Sequence, residues 1–266
     1  MDASTLAAEL SSPGAIDVVQ SFRPCAVIPV YNHAKFVGSV VESLRATGLP
    51  VYLVDDGSNA AEQRLLDDLA GGDKAITLIR HSSNRGKGAA VATGLHCCAK
   101  DGFSHALQMD ADGQHDTTDV PRFLALASAH GTALIAGYPA YDATVPKVRF
   151  YGRYLTHVWV WINTLSTIVT DSMCGFRVYP VAASLQLLDE LGHSTHMDFD
   201  GEFIVRWYWR GWALKQLETR VIYPANGVSH FRLLQDNLRI SAMHARLFFG
   251  MLVRLPRLLK QRAAAR

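Results

Sequence analysis

The stretch CAVIPVYNHAKFVGSVVESLRATGLPVYLVDDGS (residues 25–58) decides the fold. Its opening, Cys25 to Val30, is an apolar run of strand length, and Val51-Tyr-Leu-Val54 is a second. Between them, Lys35 to Thr47 carries apolar residues at helical spacing and stops at Gly48. Two apolar strands joined by a helix read as a parallel pair buried on both faces. The same alternation continues outward. Helices are expected over 60–70, 88–100 and 118–130, and strands over 76–79, 105–109 and 133–136. The chain therefore reads as α/β: a Rossmann-like, mostly parallel sheet with helices on both faces. Ligands of such sheets bind beyond the carboxyl ends of the strands. The polar clusters Tyr31-Asn32, Asp55-Asp56 and Asp110-Ala-Asp112 stand at those ends.

Composition narrows the class. Hydrophobic residues at 49% and charged residues at 19% of 266 are a globular balance, not a disordered one. A formal net charge of +2 is too small to point to nucleic acid as a partner. The four cysteines, Cys25, Cys97, Cys98 and Cys174, include no C-x-x-C pair, and the expectation is buried thiols in a reducing cytoplasm. Residues 1–23, Ser/Ala-rich with a Pro-Gly step, read as a flexible lead-in without a secretory signal. No apolar run reaches the roughly 20 residues that span a bilayer.

Past residue 140 the pattern changes. Tyr151 to Val169 reads as an aromatic-rich helix, Gly175 to Tyr179 as a short strand, and Val181–Leu191 and Phe199–Arg210 as helices. Ala213 to Tyr223 reads as a further strand. Residues 236–266 read as a basic amphipathic helix following a domain at 24–235. From Arg239 to Arg266 there are seven basic residues and no acidic one, and Leu247, Phe248, Met251, Leu252, Leu255 and Leu259 recur at helical spacing.

Met109-Asp-Ala-Asp-Gly-Gln-His115 carries the most chemistry. In an extended backbone Asp110, Asp112 and Gln114 point the same way. Hard oxygen donors with open positions suit Mg²⁺ or Mn²⁺, which also takes phosphate oxygens. The alternative is a solvated turn. Asp55-Asp56-Gly57-Ser58 either accepts hydrogen bonds from a base and ribose or forms a turn that caps the next helix. Asn84-Arg-Gly-Lys-Gly88 opens a helix, where backbone N–H groups and two cations favour an anion, or it is a plain helix start. It is neither a Walker loop nor a dinucleotide fingerprint.

Taken in order, Ile28-Pro-Val-Tyr-Asn32, Val54-Asp-Asp-Gly-Ser58, Asn84-Arg-Gly-Lys-Gly88 and Met109–His115 resemble the family 2 inverting glycosyltransferases of GT-A fold. Within them the chain resembles most the dolichol- and polyprenyl-phosphate sugar transferases, and Asp171-Ser-Met-Cys-Gly-Phe-Arg177 extends the likeness, which covers about residues 24–232. The resemblance implies that Pro29, Tyr31 and Asp56 hold base and ribose, with Asn32 beside them. It places Lys87 near the nucleotide. Asp110, Asp112 and Gln114 would form the metal and diphosphate site, and Arg177 would sit near donor or acceptor phosphate.

His196-Met-Asp-Phe-Asp-Gly-Glu202 resembles the family's later acidic segment, where an acid serves as general base towards hydroxyl acceptors. Asp198, Asp200 and Glu202 are the candidates, with Asp200 placed first. Asn226-Gly-Val-Ser-His230 resembles a Gly-x-Ser loop in which His230 could meet phosphate, and Phe231–Asn237 departs from the lipid-phosphate pattern. Tyr154, Trp159, Trp161 and the basic C-terminal helix suit the inner face of a membrane; the alternative is core or dimer helices. The expected function is transfer of a sugar from a UDP- or GDP-sugar to a lipid-linked acceptor such as a polyprenyl phosphate. The alternatives are a hydroxyl acceptor or non-catalytic sugar-nucleotide binding. A sugar nucleotidyltransferase would need a basic Gly-rich loop where Tyr31-Asn32-His33 stands.

Overall fold

The computed structural model describes residues 21–140, 147–191, 194–221 and 233–264. Chain order is β1 (Pro24–Val30), α1 (Ala34–Ala46), β2 (Val51–Asp55), α2 (Ala60–Gly71), β3 (Ile76–Arg80), α3 (Lys87–Lys100) and β4 (His105–Gln108). A 3-10 turn, Thr117–Asp119, leads into α4 (Val120–Ala129) and β5 (Leu134–Ala140). Then come α5 (Lys147–Thr164), β6 (Arg177–Pro180), α6 (Val181–Leu188), α7 (Phe199–Trp209), β7 (Leu214–Arg220) and α8 (Leu233–Ala264).

The strands form one sheet in the order β3-β2-β1-β4-β6-β5-β7. Only β6 runs against its neighbours, pairing antiparallel with β4 and β5; the remaining pairs are parallel. The period-2 alternation of a strand divides the core in two. Cys25 and Val27 pack in one cluster with α3, α6, α7 and α8, whereas Ala26, Ile28 and Val30 pack in the other with α1 and α4. Gly94 lets α3 lie directly on β1, since a Cβ there would collide with Val27.

Three expectations are adjusted. Residues 21–23 of the expected lead-in are held: the Arg23 N–H donates to Ser104 Oγ at 2.8 Å, and the Phe22 ring meets His105 at 4.8 Å. The aromatic helix ends at Thr164, not Val169, because Leu165 turns to φ 52°. The C-terminal helix opens at Leu233 and is a core helix along much of its length. Met243, Leu247, Met251 and Leu258 are buried against α7 and α5, and Phe248 and Leu255 pack beside them. Of the two readings of this stripe, membrane face or core helix, much of it follows the second and is spent on the protein's own core. Asn226–His230 lies outside the described residues. Among the described residues, no helix is long and apolar enough to cross a membrane.

Candidate active site

A cleft of about 380 Å³ opens at the carboxyl ends of β1, β2 and β4, with the starts of α3, α7 and α8 around it. Pro29, Tyr31, Asp56, Lys87, Asp110, Asp112, Gln114 and Asp200 all line it. Residues far apart in sequence meet because parallel β1, β2 and β4 bring their carboxyl ends to one edge, and α7 adds Asp200 to it.

Asp56 leaves β2 buried and organises the loop before α3. Its Oδ1 accepts from the Arg85 N–H at 2.9 Å and lies 2.7 Å from His81 Nδ1, while Oδ2 accepts from the Gly86 N–H at 2.8 Å. Gly86 carries φ 98°, and a Cβ there would collide with Thr195 and His196, so only glycine fits the approach. Asn32 does not line the cleft. With φ 52°, its N–H donates to Ser58 Oγ and its Oδ1 accepts from Asn59, tying the β1 and β2 loops together. Its place is beneath the nucleotide positions expected of Tyr31 and Asp56.

The extended reading of residues 110–114 is corrected: β4 ends at Gln108 and residues 111–113 turn, with Gly113 at φ 70°. The carboxylate of Asp112 accepts the Gln114 N–H at 3.0 Å, which closes the turn. Asp110, Asp112 and Gln114 nevertheless share the cleft, gathered by the turn and not by strand alternation.

The charges are arranged around Lys87, the first residue of α3. Its ammonium lies 2.8 Å and 2.9 Å from the two oxygens of Asp110 and 2.8 Å from Asp200 Oδ2. Burial alone would raise the Asp110 carboxyl; the Lys87 charge and His115 outweigh it and hold it far below the usual range. Burial likewise opposes the Lys87 ammonium, but Asp110 and Asp200 hold it charged. Asp112 moves the other way: burial and then the Asp110 charge raise its carboxyl. Two carboxylates that repel each other in one cleft are a place where a divalent cation is stabilised. Among the described residues no group of three His, Cys, Asp or Glu side chains could hold a metal by itself.

Arg177 is not where a phosphate contact requires it. It is fully buried, and its donors go to the carbonyls of Cys174, Asp200 and Ser172 at 2.7–3.0 Å, with Asp200 Oδ1 at 3.6 Å. It fastens the loop before β6 to the first turn of α7 and so positions Asp200. Asp171 anchors the same loop, bound by Arg153 at 2.6 Å and by the N–H groups of Met173 and Cys174. Its carboxyl, which burial would raise, is held far down by Arg153 and His157.

Of the three acids near α7, only Asp200 lines the cleft. Glu202 is consumed by Ser194, Arg206 and Arg246, a cluster joining α7 to α8, and Asp198 accepts the His196 N–H. Oδ1 of Asp200 is buried without a hydrogen bond. Sequence reading missed His33, Met173, His196, Met197, Asp236 and Arg239, which also line the cleft. His33, Met173, His196 and Met197 stand inside segments the sequence already singles out, and Arg239 opens the basic stretch.

Solved structures share this architecture. The mannosyltransferase PcManGT of Pyrobaculum calidifontis, in complex with GDP-Man and Mn²⁺, superposes with a TM-score of 0.52 over 91% of this chain and 74% of its own, at 14% identity. S. aureus TarS 1–349 with UDP gives 0.55 over 85% and 65%, at 16% identity. The fold is that of the GT-A glycosyltransferases. The chain belongs to glycosyl transferase family 2, whose model matches residues 25–184, and it is a glycosyltransferase. It is similar to the polyprenol monophosphomannose synthase of Mycolicibacterium smegmatis, 32% identical over 59% of this chain and 61% of that one. It is also similar to the UDP-N-acetylglucosamine–dolichyl-phosphate N-acetylglucosaminyltransferase of Methanococcus voltae, 26% identical over 62% and 72%.

Proposed function

We propose that the chain transfers a sugar, with inversion, from a UDP- or GDP-sugar to a lipid-linked acceptor such as a polyprenyl phosphate. The observation that carries this is the meeting of Asp110, Asp112, Lys87 and Asp200 in one cleft at the carboxyl edge of the sheet. The donor set fits Mg²⁺ or Mn²⁺ on Asp110, Asp112 and the Gln114 amide, and such an ion would stabilise charge growing on the leaving diphosphate. Pro29, Tyr31 and Asp56 border the space for base and ribose. Lys87 stands at the start of α3, where a helix terminus favours phosphate. Arg239, not Arg177, is the arginine that faces the cleft and suits a phosphate group. The acceptor oxygen attacks the anomeric carbon, the bond from that carbon to the diphosphate breaks, and the nucleoside diphosphate leaves. The related transferases named above act on polyprenol- and dolichyl-phosphates, which supports the acceptor class.

A second reading, transfer to a hydroxyl, draws on Asp200. A hydroxyl must lose a proton to a base within hydrogen-bond reach, and Asp200 is the acid of the segment that lines the cleft. An ionised phosphate acceptor needs no base, so Asp200→Asn separates the readings: it abolishes transfer to a hydroxyl and spares transfer to a phosphate.

Work at a membrane surface is supported by Tyr154, Leu155, Trp159 and Ile162 of α5 and by Phe249, Leu252 and Val253 of α8, all exposed. Trp159 meets Phe248, which meets Phe249, and this joins the two helices. We place the chain at the cytoplasmic face, where basic residues of α8 favour anionic headgroups.

Thermal melts with UDP- and GDP-sugars and Mn²⁺ identify the donor, because a ligand of the folded state raises the midpoint. Asp112→Ala is expected to fold and to lose release of nucleoside diphosphate; unchanged turnover removes Asp112 from the metal site.

A further inference from the structure

Lys87 is held by Asp110, which the proposed metal site needs, and by Asp200. Its ammonium contacts both oxygens of Asp110 and one of Asp200, and its side chain is only 15% exposed. The Asp110 carboxylate also packs closely on Gly175, where an added Cβ would collide with it. A divalent ion taking Asp110 therefore meets a second cation a few ångströms off, and like charges at that range repel. Lys87 also begins α3, whose terminus disfavours an added cation and favours a phosphate.

We propose that Lys87 competes with the divalent ion for Asp110, and that the diphosphate of the donor relieves the competition by giving Lys87 a new partner. Ion and donor then bind cooperatively, each weakly alone. The same move releases Asp200 Oδ2, so the acceptor-side carboxylate becomes available only when the donor is loaded. The inference rests on the metal reading of Asp110 and Asp112.

The test is Mn²⁺ affinity, measured by the paramagnetic resonance of free Mn²⁺, with and without GDP or UDP, in the full chain. Lys87→Gln keeps a hydrogen-bond donor and removes the charge. It is expected to bind Mn²⁺ at least about tenfold more tightly than wild type in the absence of nucleotide. With Mn²⁺ affinity in the nucleotide complex unchanged, the factor by which nucleotide tightens Mn²⁺ shrinks to the same degree, and by reciprocity so does the factor by which Mn²⁺ tightens nucleotide. Lys87→Arg, which keeps the charge, stays near wild type. Affinity in Lys87→Gln equal to or weaker than wild type, with wild type binding Mn²⁺ normally, overturns the inference and leaves the metal reading standing. Absence of Mn²⁺ binding to wild type even with GDP and with UDP removes the metal reading and the inference with it. Should the glutamine variant not fold, Lys87→Met is read the same way: Mn²⁺ binding tighter than wild type without nucleotide supports the proposal, and equal or weaker binding overturns it.

Discussion

Gly175→Ala tests the geometry of the cleft without touching a charged group. A Cβ built at Gly175 falls on the carboxylate of Asp110, far inside the 3.0 Å that real Cβ atoms respect. An unstrained carbon–oxygen contact needs roughly 3.3 Å, so the carboxylate must retreat by about 1 Å. That displaces the carboxylate from the 2.8 Å and 2.9 Å contacts it makes with Lys87. A misplacement of about 1 Å at a reacting centre costs about 100-fold in rate. Stability should fall less, because Asp200 still holds Lys87. A buried group left without its partner costs about 1–3 kcal/mol, or a midpoint lower by about 2–4 °C per kcal/mol. Gly175 has no positive φ, so the effect comes from the collision and not from backbone strain. Release of nucleoside diphosphate from the sugar nucleotide that stabilises the fold, with Mn²⁺ and a polyprenyl phosphate, is the assay. Gly38→Ala, in a helix with nothing within 4 Å of the added carbon, is the control and should be neutral or slightly stabilising. Turnover of Gly175→Ala within a factor of two of wild type would refute the claim that the place of Asp110 governs the site.

Arg177→Met leaves the carbonyls of Cys174, Asp200 and Ser172 without that buried donor; about 3–5 kcal/mol of stability should go, read as an early urea midpoint, and a midpoint near wild type contradicts the positioning role. His244, between α5 and α8, has its imidazolium pushed by burial to about 4 from 6.5. Because the folded state prefers the neutral ring, the stability it contributes is complete above about pH 6.5 and is lost as pH falls towards 4, by about 3 kcal/mol in all. His244→Gln should flatten the melting temperature between pH 6.5 and 4, and an unaltered slope excludes the histidine as its source. Deleting the C-terminal helix would empty the core of Met243, Leu247, Met251 and Leu258, so membrane contact is better tested by Phe249→Asp with Val253→Asp, two exposed sites. Co-sedimentation with anionic vesicles should drop without a shift in melting; equal co-sedimentation defeats the surface reading.

Strand and helix order is legible in the sequence, because apolar runs of strand length separated by helical spacing leave few alternatives over residues 24–140. The edge that carries the site was legible too, since parallel strands put their carboxyl ends together and the acidic clusters stand at those ends. Tertiary structure decided which side chains face the cleft. Arg177 reads as a phosphate ligand in a one-dimensional motif, yet the antiparallel insertion of β6 between β4 and β5 turns it inward onto carbonyls. Glu202 and Asp200 sit two residues apart, with Asp200 placed first on resemblance alone, and it is the packing of Ser194, Arg206 and Arg246 around Glu202 that consumes it and leaves Asp200 at the cleft. Lys87, Asp110 and Asp200 belong to three elements, and no local pattern encodes a contact among them. The chain's periodicities set its layers because burial is a local average over each element. The partners of single charges depend on how distant elements pack, and that is fixed only when the whole chain folds.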